Sequence, residues 1–220
     1  MKKIVLILIL AISACSPQKS ITDRVTLTSP DGDLSMEFLL EDGIPMYTLK
    51  HKGTDVLLPS RLGFEIRGSM KSALIRFDGD HITKSDVKPS FLLDRNFELL
   101  CTSNSSFDEY WEPVWGEESS IRNHYHELLV ELKQKESGHL LNIRFRLFDD
   151  GLGFRYEFPD KQRLTHFAIK EELTEFAMAD DCFAWWIPGD YDTQEYEYGE
   201  CKLSEIEENF KEQIWANSSQ

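Results

Sequence analysis

The chain is short of basic residues, of cysteine and of long apolar runs, and each shortage narrows its chemistry. Of 220 residues, 24 are Lys or Arg against 39 Asp or Glu, a formal net charge of −15. A field of that sign repels phosphate backbones, which argues against nucleic acid as a partner; it tolerates neutral sugars and attracts divalent cations. Four cysteines occur, none in a Cys-x-x-Cys spacing, so a structural zinc site has no framework here. No repeat period and no low-complexity tract is visible. What is present is ordinary for a globular protein: 41% hydrophobic and 29% charged residues. The length suits one large β-domain or two small ones, with enough chain to bury a core.

The first residues stand apart from the fold. Met1-Lys2-Lys3 is a basic start, and Ile4 to Ile12 is an apolar stretch too short for a stable membrane anchor. Ile12-Ser13-Ala14-Cys15 follows, small residues directly before a cysteine. The pattern resembles a bacterial lipoprotein signal, with Cys15 as the lipidated first residue after cleavage. This divides the chain into a signal and lipobox at 1–15, a tether at 16–24 and a folded domain at 25–220. The resemblance implies a place in the cell envelope and, since residue 16 is Ser and not Asp, the periplasmic face of a Gram-negative outer membrane. Cleavage takes Lys2 and Lys3 from the 24 basic residues, leaving 22 against 39 acidic, a net charge of −17. Cys101, Cys182 and Cys201 then remain. Three is an odd number, so at most one pair forms. Cys182 with Cys201 is nearest in sequence, and buried free thiols are the other reading.

Alternation of apolar and polar residues dominates the middle of the chain. Leu34, Met36, Phe38 and Leu40 alternate between the turn pairs Asp31-Gly32 and Asp42-Gly43; Tyr47 and Leu49 lead to Lys52-Gly53. Phe64 to Gly68 and Leu128, Val130 and Leu132 read as further strands. Leu140 to Pro159 predicts a β-hairpin: Leu141, Ile143, Phe145 and Leu147 share one face, Asp149-Asp150-Gly151 turns the chain with Gly151 free to take a positive φ, and Phe154, Tyr156 and Phe158 return. Short strands between Gly, Asp and Asn turns indicate an all-β sandwich. One helix is expected near Ser204 to Trp215, from a Ser204/Glu207 capping box and Ile206, Phe210 and Ile214 at four-residue spacing. A sheet protein closing on a lone helix and the polar tail Asn217 to Gln220 suggests a truncated domain.

The richest chemistry lies late, in Trp185 to Tyr198: two Trp, three Tyr, two Asp and two Glu beside a Pro-Gly turn. Aromatic faces stack on sugar C–H surfaces, and carboxylates accept hydroxyl hydrogen bonds or bind hard cations such as calcium. An exposed acidic loop whose aromatics fill a core is the plainer alternative. In Glu109 to Leu128, Trp111, Trp115, Glu117, Arg122, Asn123 and His124 are candidate contacts. Arg122 suits a bidentate pair with an acid, whether in a site or as a simple salt bridge. His124 and His126 share a strand face, where interface packing competes with metal binding. Asp190 and Asp192 share a face if extended, with loop capping the alternative.

Three segments read together: EYWEPVWGEESSIRNHYHEL (Glu109–Leu128), FRLFDDGLGFRYEFP (Phe145–Pro159) and IPGDYDTQEYEY (Ile187–Tyr198). In this order they closely resemble the N-terminal domain of glycoside hydrolase family 97, over about Val25 to Ile206. The resemblance implies a galactose-mutarotase-like supersandwich. It also implies a parent enzyme, an exported α-glucosidase or α-galactosidase, whose catalytic carboxylates sit on a (β/α)8 barrel outside this chain. By the same resemblance, Glu195 (or, in a second register, Glu197) is one ligand of an active-site calcium. Trp115, Glu117, Arg122, Asn123, Asp190 and Asp192 are the substrate-side residues, and none of this chain's residues is catalytic. Oligosaccharide is the expected ligand, and the chain alone is expected to be inactive. A stand-alone carbohydrate-binding lipoprotein is the alternative. A mutarotase-like epimerase, needing a His acid and a Glu base in one cleft, is a third reading by fold analogy.

Overall fold

In a computed structural model, residues 24–67, 77–78, 81–82, 90–159, 167–189 and 195–211 are described. Cys15, Asp190 and Asp192 lie outside them. Two four-stranded antiparallel sheets form the body. The first runs β1 (Arg24–Thr28), β2 (Leu34–Glu41), β3 (Ile44–His51), β4 (Thr54–Arg61), each beside the next. Short strands follow: β5 (Phe64–Arg67), β6 (Phe77–Asp78), β7 (His81–Ile82) and β8 (Phe91–Leu93). The second sheet contains β9 (Phe97–Trp111), β10 (Ile121–Gln134), β11 (Leu140–Leu147) and β12 (Leu152–Glu157), in the order β12-β11-β10-β9. β13 (Ala168–Glu172) joins β5 and β8 in a three-stranded sheet, and β14 (Phe183–Trp186) pairs with β15 (Gly199–Lys202).

The turns explain the first sheet. Asp42 and Gly43 (φ 51° and 76°) and Lys52 and Gly53 (φ 51° and 82°) each link adjoining strands with two left-handed residues. Two positive φ values in succession match the right-handed twist of the flanking strands. Gly43 has a second constraint, since a Cβ there would meet the Phe97 backbone nitrogen at 3.0 Å.

The alternating apolar residues make the core. Met36, Phe38 and Tyr47 of the first sheet and Leu128, Val130, Leu132, Leu141, Ile143, Phe145 and Leu147 of the second are fully buried. Phe145 sits 6.2 Å, ring to ring, from both Phe38 and Tyr47, and Tyr47 lies 5.4 Å from Phe154. These contacts join the two sheets into the expected all-β sandwich. The Tyr47 hydroxyl donates to the Glu175 carbonyl at 3.0 Å, so its burial leaves no orphan donor.

The hairpin of β11 and β12 has the expected register, with Phe145 opposite Phe154 and Ile143 opposite Tyr156. Its turn differs from expectation: Gly151 is not among the positive-φ residues, and the Phe148 N–H donates to the Gly151 carbonyl at 2.8 Å. On the sheet's other face, Glu127 is buried beneath Arg144 and Arg146 and bonds both. Arg144 also forks onto Glu157, and Arg146 lies 4.4 Å over the Tyr125 ring. This alternating chain of charges satisfies a buried carboxylate that would otherwise be costly.

The helix begins with a 3-10 turn at Leu203–Glu205 and continues through 206–211; the remainder of the expected span to Trp215 lies outside the described residues. Its cap is not the expected Ser204/Glu207 box. Glu205 accepts from the Lys202 N–H at 3.1 Å, Ser204 is held by Asp181, and Glu207 pairs with Lys211 at 2.7 Å. All three described cysteines are free thiols, with Cys182 exposed and Cys201 buried. Cys201 lies opposite Ala184, and its sulfur accepts the Trp186 indole N–H at 3.1 Å. That occupies the sulfur without a disulfide. Among the described residues, no helix is long and apolar enough to cross a membrane.

Candidate functional site

The candidate residues fall on two extensions of the sandwich. The first is the outer half of the β9–β10 ribbon. From Asn104 to Trp111, β9 is exposed, while β10 pairs with it out to Ile121 opposite Trp111. The connecting residues carry Trp115, which is 88% exposed, and Glu117, also exposed. Fifteen- and fourteen-residue strands make a long ribbon, and its outer half on β9 is exposed.

Period-2 geometry then sorts the side chains. Asp108 and Tyr110 of β9 face the same side as Arg122 and His124 of β10, because Arg122 is opposite Tyr110 and His124 opposite Asp108. Arg122 donates from Nε to Asp108 Oδ1 and from Nη2 to Oδ2, both at 2.8 Å. Its guanidinium also lies 5.7 Å from the Tyr110 ring centroid. The hydrogen bonds from Arg122 hold the Asp108 carboxyl below its ordinary range. Asp149, in the β11–β12 turn, adds negative charge near Arg122 and accepts the Asp31 N–H at 2.9 Å. The acid that Arg122 was expected to grip is therefore Asp108. Neither Asp108 nor Tyr110 was singled out from sequence, because strand register across the ribbon was not fixed. Asn123, on the opposite face, reaches Glu109 at 3.5 Å.

His124 and His126 do share a face, with ring centroids 6.4 Å apart. His126 Nδ1 sits 2.8 Å from the Thr28 carbonyl, while His124 Nδ1 is buried without a partner. Among the described residues, no three His, Cys, Asp or Glu side chains are grouped to hold a metal ion. His126 thus links β10 to the end of β1.

The second extension is the β14–β15 hairpin, whose connecting segment carries Glu195. Trp186 anchors it through Cys201 and through Phe210 at 6.4 Å between ring centroids. Asp181 ties the hairpin base to the helix, accepting the Ser204 N–H at 3.0 Å and hydroxyl at 2.9 Å. Glu195 and Glu197 are exposed, and Trp185 and Tyr198 are 70% and 74% exposed. Trp185 and Tyr198 therefore lie on the surface, whereas Trp186 and Tyr196 are half-buried. A calcium ion takes about six to eight oxygens, and one carboxylate supplies at most two. Glu195 fits such an ion only as one donor to a shell completed by other groups.

Among the described residues, two surface grooves of about 530 and about 360 Å³ are lined by residues such as Arg61, Glu65 and Asp94 or Thr26, Ser106 and His126; Trp115, Glu117, Arg122 and Asn123 line neither.

The family described as Glycosyl-hydrolase 97 N-terminal matches residues 27–218. The chain belongs to this family. Solved relatives agree with the assignment. A glycoside hydrolase family 97 enzyme from Pseudoalteromonas sp. strain K8 is 29% identical, with a TM-score of 0.67 over 81% of this chain, in complexes with panose and with acarbose. A β-arabinopyranosidase, 21% identical with a TM-score of 0.58 over 74% of this chain, shares the fold. The family 97 N-terminal domain described here spans 24% of the Pseudoalteromonas enzyme.

Proposed function

We propose that this chain is the active-site-completing N-terminal module of an exported, calcium-dependent family 97 hydrolase. The enzyme would act on α-glycosidic bonds of oligosaccharides. The observation that carries the proposal is the match over 27–218 to an N-terminal family, joined to one relative captured with panose and with acarbose. Among the described residues, Trp115, Glu117 and Glu195 are exposed, as expected of a module that closes a site built mainly by another domain. In this reading the catalytic carboxylates belong to a (β/α)8 barrel, and Glu195 donates oxygen to calcium. Trp115, Glu117, Arg122, Asn123, Asp190 and Asp192 face the sugar. Bound calcium would supply electrophilic activation of the scissile region. Cys15 carries the lipid that tethers the protein in the periplasm.

A second reading, a carbohydrate-binding lipoprotein without chemistry, draws on the exposed Trp115, Trp185 and Tyr198. Calorimetry separates the two. The mature chain alone should show no measurable heat with acarbose. An enzyme assembled by joining the chain to the part of the Pseudoalteromonas protein that it does not span should bind acarbose and hydrolyse maltooligosaccharides. Binding by the chain alone would favour the second reading, and an inactive assembly would sink the first.

A further inference from the structure

We infer that Asp108 is a positioning residue that aims Arg122 at vicinal hydroxyls of the bound oligosaccharide. The inference rests on the reading above, in which Arg122 faces substrate.

The geometry is that of a prearranged donor. Arg122 has five N–H groups in a fixed plane. Its fork onto Asp108 uses Nε and one hydrogen of Nη2, both at 2.8 Å. Three N–H groups remain, two on Nη1 and one on Nη2. They form the edge of the plane turned away from the carboxylate. Tyr110, directly opposite Arg122 in the ribbon, lies 5.7 Å from the guanidinium carbon. The side chain is therefore constrained by a carboxylate along one edge and by a ring nearby. A long, flexible residue on an exposed ribbon would otherwise lose considerable rotamer entropy on gripping a ligand. Here that ordering is done before the ligand arrives.

The same contacts make little sense as a stability device. Arg122 and Asp108 have side chains 45% and 48% exposed, where isolated ion pairs add little to folding. They lie in the exposed outer half of the ribbon and are not among the core residues. Three spare donors in one plane match two adjacent sugar hydroxyls, whose oxygens accept at similar spacing. A bidentate donor of this kind is not reproduced by lysine.

The test uses the assembled enzyme with a maltooligosaccharide, measuring kcat and KM separately. Asp108→Asn keeps the shape and removes the charge-assisted fork. It should raise KM about tenfold while kcat stays within about twofold. Asp108→Glu, which can still accept from the guanidinium, should recover part of the loss. Arg122→Lys should raise KM at least as much, and adding Asp108→Asn to it should cause no further loss, because the two residues act as one unit. Circular dichroism of each variant should match the unsubstituted protein. Unchanged KM in Asp108→Asn, or full additivity of the double variant, overturns the inference while leaving the assembled activity intact. An inactive unsubstituted assembly overturns the reading beneath it as well.

Discussion

Gly199→Ala tests how the hairpin bearing Glu195 is held. A Cβ at Gly199 would lie 2.7 Å from Trp186 Cε2, 2.8 Å from Cζ2 and 3.0 Å from Nε1. Carbon atoms rest at roughly 3.5–4.0 Å, so the indole must retreat by roughly 0.8 Å or more. It has little room. Its N–H is held by the Cys201 sulfur at 3.1 Å, and Phe210 packs near its ring. The backbone itself tolerates alanine, since Gly199 has no positive φ. The cost is therefore steric: about 1–3 kcal/mol for overpacking, with about 1 kcal/mol more if the indole hydrogen bond breaks. Urea unfolding followed by far-ultraviolet circular dichroism reads the stability. The near-ultraviolet tryptophan band reads the ring, and hydrogen exchange at Ala184 and Cys201 reads local opening. Gly153→Ala in β12 is the control, since nothing lies within 4 Å of its added carbon; it should shift stability by less than about 1 kcal/mol. An unchanged near-ultraviolet band and urea midpoint in Gly199→Ala would refute the packing argument.

Two predictions concern pH. Burial alone would raise the Glu127 carboxyl, but hydrogen bonds from Arg146 and Arg144 outweigh it and hold the group below its usual value of 4.5. A lowered carboxyl contributes stability above the unfolded value and loses it as pH falls through the folded one. Glu127→Gln should therefore cost about 3 kcal/mol at neutral pH and much less near about pH 3, measured by urea midpoints. A cost independent of pH would contradict the network. Burial pushes the Tyr47 hydroxyl up to about 12 from 10.0. Its contribution is complete below the unfolded value and is lost as pH rises through the folded one. Tyr47→Phe should give up about 1 kcal/mol at neutral pH with the bond to Glu175, and should flatten the alkaline fall in stability. An unaltered alkaline limb in that variant would argue that Tyr47 is not the group responsible, leaving Tyr156, which burial also raises to about 12.

Much of the sandwich was readable because strand alternation and two-residue turns are local. Leu141, Ile143, Phe145 and Leu147 announce a buried face by spacing alone, and Asp42-Gly43 announces its turn by chemistry. Gly151 misled because a positive φ was one option open to it, not a requirement. Ser204 misled because a tertiary partner, Asp181, claimed the groups a local cap would have used. The site was less readable for a similar reason. Arg122 called for an acid, yet only the register between β9 and β10 shows that the acid is Asp108. Of the two readings open for the cysteines, free thiols hold among the described residues, and Cys201 meets Trp186 instead of Cys182.

The central claim is that Glu195 gives one carboxylate to a calcium shell completed outside this chain. Calcium titration of the assembled enzyme, followed by calorimetry for the unsubstituted protein and for Glu195→Gln, addresses it directly. The account predicts that affinity falls at least about tenfold in the variant, as a charged oxygen ligand is lost. Equal affinities in the two proteins would contradict it.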